Sequence, residues 1–159
     1  MNRPQAFPVA ARQAGQGSTV LEFLRLLWAI DHALQKHSRR MTREMGVTGV
    51  QRLAIRVLGR YPDLTPGQLA GVLHLHPSTV TGIVKRLQRG GFVLRRMDRS
   101  DRRRSRLALT ARGRAIDGRR GGTVESQLDL ALRKIDPSAL ATAERVLTAI
   151  GEQLANGRG

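Results

Sequence analysis

Cysteine is absent from the 159 residues, which excludes disulfides, thiol-based redox sensing and cysteine-ligated zinc. Aromatic residues are scarce at 3%. Any core must therefore be built from Leu, Val, Ile and Ala, and such cores are usually helical. Acidic residues are few, 12 against 28 basic ones. No run approaches the roughly 18 apolar residues of a membrane span, so no membrane partner is expected. Residues 1–17 lack a continuous apolar stretch and are rich in Pro, Gly, Gln and Ala; they are expected to form a tail, not a signal peptide, in a cytoplasmic protein. Catalytic constellations are missing as well. There is no Ser/His/Asp set, paired carboxylates, His-Glu-x-x-His motif or phosphate-cradling glycine loop, and Gly118, Gly121 and Gly122 match no nucleotide motif. Neither enzymatic activity nor a cofactor is expected. His74 and His76 have no cysteine or matching acid near them, so no metal site is expected either.

What is present is positive charge, net +16 at pH 7, nearly all of it arginine. Arginine forks suit phosphates and guanine edges. The charge is uneven. Residues 85–106 hold ten basic and two acidic side chains, half of the net total, whereas residues 121–159 hold four basic and five acidic ones. One segment is thus a dedicated anion-binding surface, and a strongly basic chain of this kind points first to nucleic acid.

Apolar spacing and caps predict a series of helices. The first spans about 19–45, with Thr19 and Glu22 at capping-box spacing. Val20, Phe23, Leu24, Leu27, Trp28, Ile30 and Leu34 cover more than one of its faces, so it is expected to be buried on two sides. The second opens with Thr48 and Gln51 and shows Val50, Leu53, Ala54, Val57 and Leu58 on one face. In the third, Thr65 caps, Pro66 follows and Gln68 completes the box, with Leu69, Ala70, Val72 and Leu73 inward. A tight turn at 74–76 leads to the fourth, 77–89, with Val80, Ile83, Val84 and Leu87 inward. Its other surface carries Ser78, Thr81, Gly82, Lys85 and Arg89. Two extended runs, 92–97 and 106–110, flank an arginine-rich hairpin tip. A fifth helix from Thr110 is expected to kink or break at Gly118, Gly121 and Gly122, each costing about 1 kcal/mol in a helix interior, with Thr123 restarting it. The last begins at Asp136-Pro137. Leu140, Ala143, Leu147, Ile150 and Leu154 step along it by 3, 4, 3 and 4, a coiled-coil seam most simply explained by a second subunit.

Two helices joined by a tight turn, then a basic hairpin, make a winged helix-turn-helix. The expected class is mostly α (α+β), a winged helix-turn-helix DNA-binding domain with a helical dimerisation region formed by the N- and C-terminal helices. The second helix of the motif fits the roughly 12 Å major groove. Small residues at its start let the backbone approach, its N-terminal amides can meet phosphate, and the hairpin tip can push arginine into the minor groove. A dimer sets two such units about one helical turn apart on a near-palindromic site.

Three segments make the chain resemble the MarR family of bacterial transcriptional regulators, over roughly residues 21–154. Leu69-Ala70 with His76-Pro77-Ser78-Thr79-Val80-Thr81 is similar to the family's entry to its recognition helix. Residues 87–93 are similar to its helix-to-wing turn. Asp101-Arg102-Arg103, followed by Leu107-Ala108-Leu109-Thr110-Ala111-Arg112-Gly113, resembles its wing signature. The resemblance implies a homodimer held by the first and last two helices. By that similarity Arg103 is the minor-groove arginine, Asp101 braces the wing, and Ser78, Thr79, Thr81, Lys85 and Arg86 contact phosphates and base edges. Pro77, Gly82, Arg99, Arg102 and Arg104 complete the expected DNA-binding set. The family's peroxide-sensing branch is excluded by the lack of cysteine.

The expected organisation is a tail at 1–17, a helical dimerisation region at 18–46 and 111–157, and a DNA-binding lobe at 47–110. In the resembled family small anionic or aromatic effectors often bind between the two lobes. Trp28 and His32, one turn apart, could line such a pocket with Arg56; the simpler alternative places Trp28 in the core and makes His32 a surface or hydrogen-bonded histidine. The expected function is a sequence-specific, ligand-responsive repressor or activator acting on double-stranded DNA. The alternative is a non-specific architectural DNA- or RNA-binding protein of the same fold.

Overall fold

The computed structural model describes residues 16–97 and 105–156. The helices are α1 (Gln16–Met45), α2 (Gly49–Arg60), α3 (Pro66–Leu73), α4 (Pro77–Arg89), α5 (Ala111–Gly118), α6 (Val124–Leu132) and α7 (Pro137–Asn156). The strands β1 (Val93–Met97) and β2 (Ser105–Leu109) form an antiparallel ribbon between α4 and α5. Its register pairs Val93 with Leu109, Arg95 with Leu107 and Met97 with Ser105.

Caps set most of the boundaries. Thr48 and Thr65 each accept the backbone N–H three residues on, while Gln51 and Gln68 reach back to the cap N–H groups at 2.9 Å. Both expected capping boxes are thus present. The box expected at Thr19 is not: α1 starts at Gln16 and Thr19 lies inside it, because no proline between 16 and 19 stops the helix from extending backwards. The second strand ends one residue early, since Thr110 caps α5 instead. Its Oγ1 donates to the Gly91 carbonyl at 2.6 Å and accepts the Gly113 N–H at 3.0 Å. The predicted interruption falls between α5 and α6, where Gly122 takes φ +72° and Thr123 accepts the Ser126 N–H at 3.2 Å. At α7, Asp136 accepts the Ser138 N–H at 2.8 Å. The Ser138 hydroxyl, with the N–H groups of Ser138 and Ala139, holds the Asp136 carboxyl below its ordinary value.

The core runs from Met41 to Leu109. Ile55, Leu69, Val80, Val84, Leu87, Phe92 and Leu107 are all buried in it. The α4 face is buried as its spacing predicts. The face of α2 is rotated from the expected one: Gln51, Arg52, Ala54, Ile55 and Leu58 are buried, while Val50 and Leu53 are exposed. Arg52 is accepted inside because carbonyls and a carboxylate meet its guanidinium, as described below. On α3, Leu69 and Ala70 are buried as expected, Leu73 is half-buried and Val72 is exposed.

Helix α1 departs most from expectation. In the single chain it is not buried on two sides: Val20, Leu21, Phe23, Leu24, Ile30 and Leu34 are exposed. Nor is Trp28 core, at 69% exposure. Helices α6 and α7 bury no residue. The apolar patterning of these elements is real, but one chain supplies nothing to cover it.

Candidate nucleic-acid interface

Helix α4 is anchored by Val80, Ile83, Val84 and Leu87, which turns Ser78, Thr79, Thr81, Lys85, Arg86 and Arg89 outward. Its N-terminus is fixed by His76. The imidazole Nδ1 accepts the Ser78 backbone N–H at 3.3 Å and lies 2.7 Å from Ser78 Oγ, so histidine performs the capping usually done by Ser or Asp. Pro77 stands at the first helical position, and its carbonyl accepts the Thr81 hydroxyl at 2.9 Å. No acidic residue stands in the first turn, while Arg86 and Arg89 lie in the last. The helix therefore presents a partly positive amino end and a basic carboxyl end on one exposed surface. At Gly82 an added Cβ would meet only the far end of Arg86, at 3.7 Å.

The turn before α4 holds His74 in the left-handed region, at φ 51°. The Leu75 N–H then donates back to the Ala70 carbonyl at 3.1 Å, which closes α3 tightly enough for α4 to follow at once. After α4, Gly91 at φ +70° reverses the chain, and the Phe92 N–H donates to the Leu87 carbonyl at 2.9 Å. The ribbon is tied to the lobe at its far side. The Leu107 N–H donates to the Leu64 carbonyl at 2.9 Å, and Arg106 donates to the Asp63 carbonyl at 3.1 Å. Arg112 lies over the Phe92 ring, 4.6 Å from its centroid.

Pro77, Ser78, Thr79, Thr81, Gly82, Lys85 and Arg86 thus share one helix, and all but the half-buried Gly82 are exposed. Arg99, Asp101, Arg102, Arg103 and Arg104 lie outside the described residues. Arg95 and Arg96 on β1 are exposed too. Both belong to the basic run, which by itself does not distinguish them from their neighbours. The signal that marks them is their place in an edge strand, where successive side chains project to opposite faces.

Arg56 is paired with Asp117, Nη1 to Oδ1 at 2.5 Å. It lines a cleft with Arg52, Arg119, Arg120 and Glu125, whereas Trp28 and His32 are not among the lining residues. His32 is exposed, as its surface alternative has it. On α7, Leu140 and Ile150 are half-buried, and Ala143, Leu147 and Leu154 are exposed. Ala143 and Leu147 line a groove with Phe23 of α1.

The model of the MarR family matches residues 47–105. The chain is 31% identical over 93 residues to the HTH-type transcriptional regulator TtmR of Methylorubrum extorquens, a match covering 58% of this chain and 48% of that one. It thus spans about half the length of that relative. It is 28% identical over 121 residues to the homoprotocatechuate degradative operon repressor of Escherichia coli, covering 76% of this chain and 79% of that one. The S. aureus MepR–DNA complex has the same fold, with TM-score 0.69 at 19% identity over 83% of this chain and 97% of that one. Residues 47–105 thus match the model of the MarR family, and the chain has the winged helix-turn-helix fold of MarR-type structures.

Proposed function

We propose that the chain is a sequence-specific transcriptional regulator that binds double-stranded DNA as a homodimer on a near-palindromic operator, and that a small molecule modulates this binding. The observation that carries the reading is the outward surface of α4, hydroxyl-bearing at its capped amino end and basic at its carboxyl end. Such a helix suits the major groove, with Ser78 and Thr79 near phosphate and Thr81, Lys85 and Arg86 along the groove. Arg103, by the family resemblance, reaches the adjacent minor groove from the wing. Its similarity to a transcriptional regulator and to an operon repressor, and to a DNA complex of the same fold, supports this reading.

The test begins with selection of genomic fragments bound by the full chain, followed by anisotropy titrations against the selected site and a scrambled duplex. The selected site should bind at least about 10³-fold more tightly at physiological salt. A ratio near one would favour a non-specific architectural role instead. Arg103→Ala should strongly weaken binding to the selected site while the dimer persists. Lys85→Ala should weaken binding to both duplexes, with log affinity falling less steeply against log salt by about 0.9. Unchanged binding by Arg103→Ala would remove the wing from the mechanism.

A further inference from the structure

The histidine that caps α4 fixes the direction of two hydrogen bonds. A neutral imidazole accepts at Nδ1 only when its ring proton sits on Nε2, and Nδ1 then offers a single lone pair. Ser78 aims two donors at that one atom. Its hydroxyl oxygen lies 2.7 Å away and its backbone nitrogen 3.3 Å. The cap is therefore closed by the Nε2–H tautomer, and the Ser78 hydroxyl commits its only proton to the ring. Its oxygen turns nothing but lone pairs outward. That is the wrong polarity for a phosphate at the amino end of a helix, which is held by donors.

A second proton on the ring, taken from solvent, reverses both bonds. Nδ1–H then donates to Ser78 Oγ, the hydroxyl proton turns outward, and the Ser78 N–H is released. One imidazolium thus delivers two donors and a positive charge to the same place. Without an anion there, such a charge meets the opposing macrodipole of α4; with a phosphate present, the charge and both donors are matched. The geometry points to His76 as the residue through which DNA binding takes up a proton. Phosphate at the amino end of α4 favours the imidazolium, so affinity for DNA rises as pH falls. This linkage rests on the DNA reading of α4, in which Ser78 lies near phosphate.

The surroundings leave that role to His76. Helices α3 and α2 and strand β1 pack on α4, and none of these four elements contains an acidic residue. Helix α3 carries no charge at all. On α2, Arg52 and Arg56 are engaged by Glu125 and Asp117, and Arg60 is exposed at its carboxyl end. Lys85, Arg86 and Arg89 lie further along α4, and Arg95 and Arg96 of β1 follow its far end. Asp63 and Arg106 meet before α3, whereas His76 follows it. His74, exposed two residues before the cap, is the titratable neighbour to control for.

Titration calorimetry of the full chain with its selected duplex, in two buffers of different ionisation enthalpy at one pH, counts the protons taken up. The wild type should take up protons on binding. Its affinity should rise between about pH 8 and about pH 6 by about tenfold more than that of His76→Asn. Asparagine caps helices well and does not titrate, so His76→Asn should keep the wild-type melting curve and bind without this uptake. His74→Asn, a residue that tolerates the left-handed backbone, should take up protons like the wild type. Ser78→Ala keeps the capped N–H but lacks the hydroxyl, and should take up fewer. In the free chain at alkaline pH, imidazole nitrogen shifts in NMR spectra should show His76 protonated on Nε2. Uptake by His76→Asn equal to that of the wild type, or a neutral His76 protonated on Nδ1, would overturn the proposal. Tight binding of the selected duplex with no proton uptake would refute the linkage and leave the DNA reading standing, whereas failure to select any duplex would sink both.

Discussion

Arg52 shows how one side chain can close a helix that is not its own. It is 2% exposed, and its guanidinium donates to the Ile116 carbonyl, to the Arg119 carbonyl at 2.6 Å and to Glu125 at 3.0 Å. Those carbonyls belong to the end of α5, where a helix leaves its last acceptors without partners. Arg52→Met would take their donor from the Arg119 carbonyl and from Glu125 Oε1, while the Ile116 carbonyl keeps the Arg119 N–H at 3.1 Å. Breaking a buried pair from one side costs about 3–5 kcal/mol. Glu125 can partly rehydrate, so a loss near the lower end, about 3 kcal/mol, is expected in urea denaturation. Arg56→Met offers the contrast. Arg56 is 37% exposed and Asp117 24%, and a pair this open contributes about 1 kcal/mol or less. A loss for Arg52→Met as small as that for Arg56→Met would mean that water replaces the guanidinium. None of this was visible in the spacing along α2. An arginine between apolar residues reads as solvent-facing, and only the carbonyls some 64 to 67 residues further along make its burial tolerable.

The junction of ribbon and α5 depends in the same way on one small residue. Gly113 lies in the first turn of α5 with φ outside the left-handed region, so its backbone would accept alanine. The space would not. An added Cβ would run into the Phe92 carbonyl oxygen and stand 3.1 Å from its carbon and 3.3 Å from Leu109 Cδ2. Those are backbone and core atoms that cannot swing aside. Alanine gains up to about 1 kcal/mol of helix propensity, whereas overpacking costs about 1–3 kcal/mol. Gly113→Ala is therefore expected to lose roughly 2 kcal/mol on balance, measured by denaturant titration. Gly71→Ala, at a helix position with nothing within 4 Å, should be neutral or stabilising. Equal behaviour of the two variants would refute the close approach. The elements themselves were largely legible, because caps and glycines act locally: Thr48, Thr65 and Thr123 begin helices, and Gly122 separates two. What the spacing misjudged was set by other parts of the chain. The inward face of α2 turned on Arg52, and Thr110 left β2 to cap α5 because the Gly91 carbonyl accepts its hydroxyl. In the candidate interface, the orientation of α4 was legible from four apolar positions, whereas Arg95 and Arg96 needed the edge of the ribbon to stand out.

The chain as a whole divides between a lobe that buries its apolar residues and helical arms that do not. The core stops at Met41 on one side and Leu109 on the other. Beyond it, Phe23, Trp28 and Ile30 on α1, and Leu147 and Leu154 on α7, are between 42% and 71% exposed. Monomers rarely show apolar patches beyond a few hundred Å². A second copy related by a twofold axis presents the same surfaces, so each residue covered is covered twice. Burying one leucine contributes about 1.5–3 kcal/mol, and a glutamate in its place adds the cost of an unpaired charge, again at both copies. Leu147, at 53% exposure and lining the groove beside Phe23, is the position to change. In sedimentation equilibrium the wild-type chain is expected at twice its 17.5 kDa mass, and Leu147→Glu at the single mass with an unchanged winged lobe. Because two α4 helices then no longer reach successive major grooves together, affinity for a near-palindromic site should fall toward that of an isolated half-site. A Leu147→Glu chain that remains dimeric and binds the full site normally would mean that the arms meet through another surface.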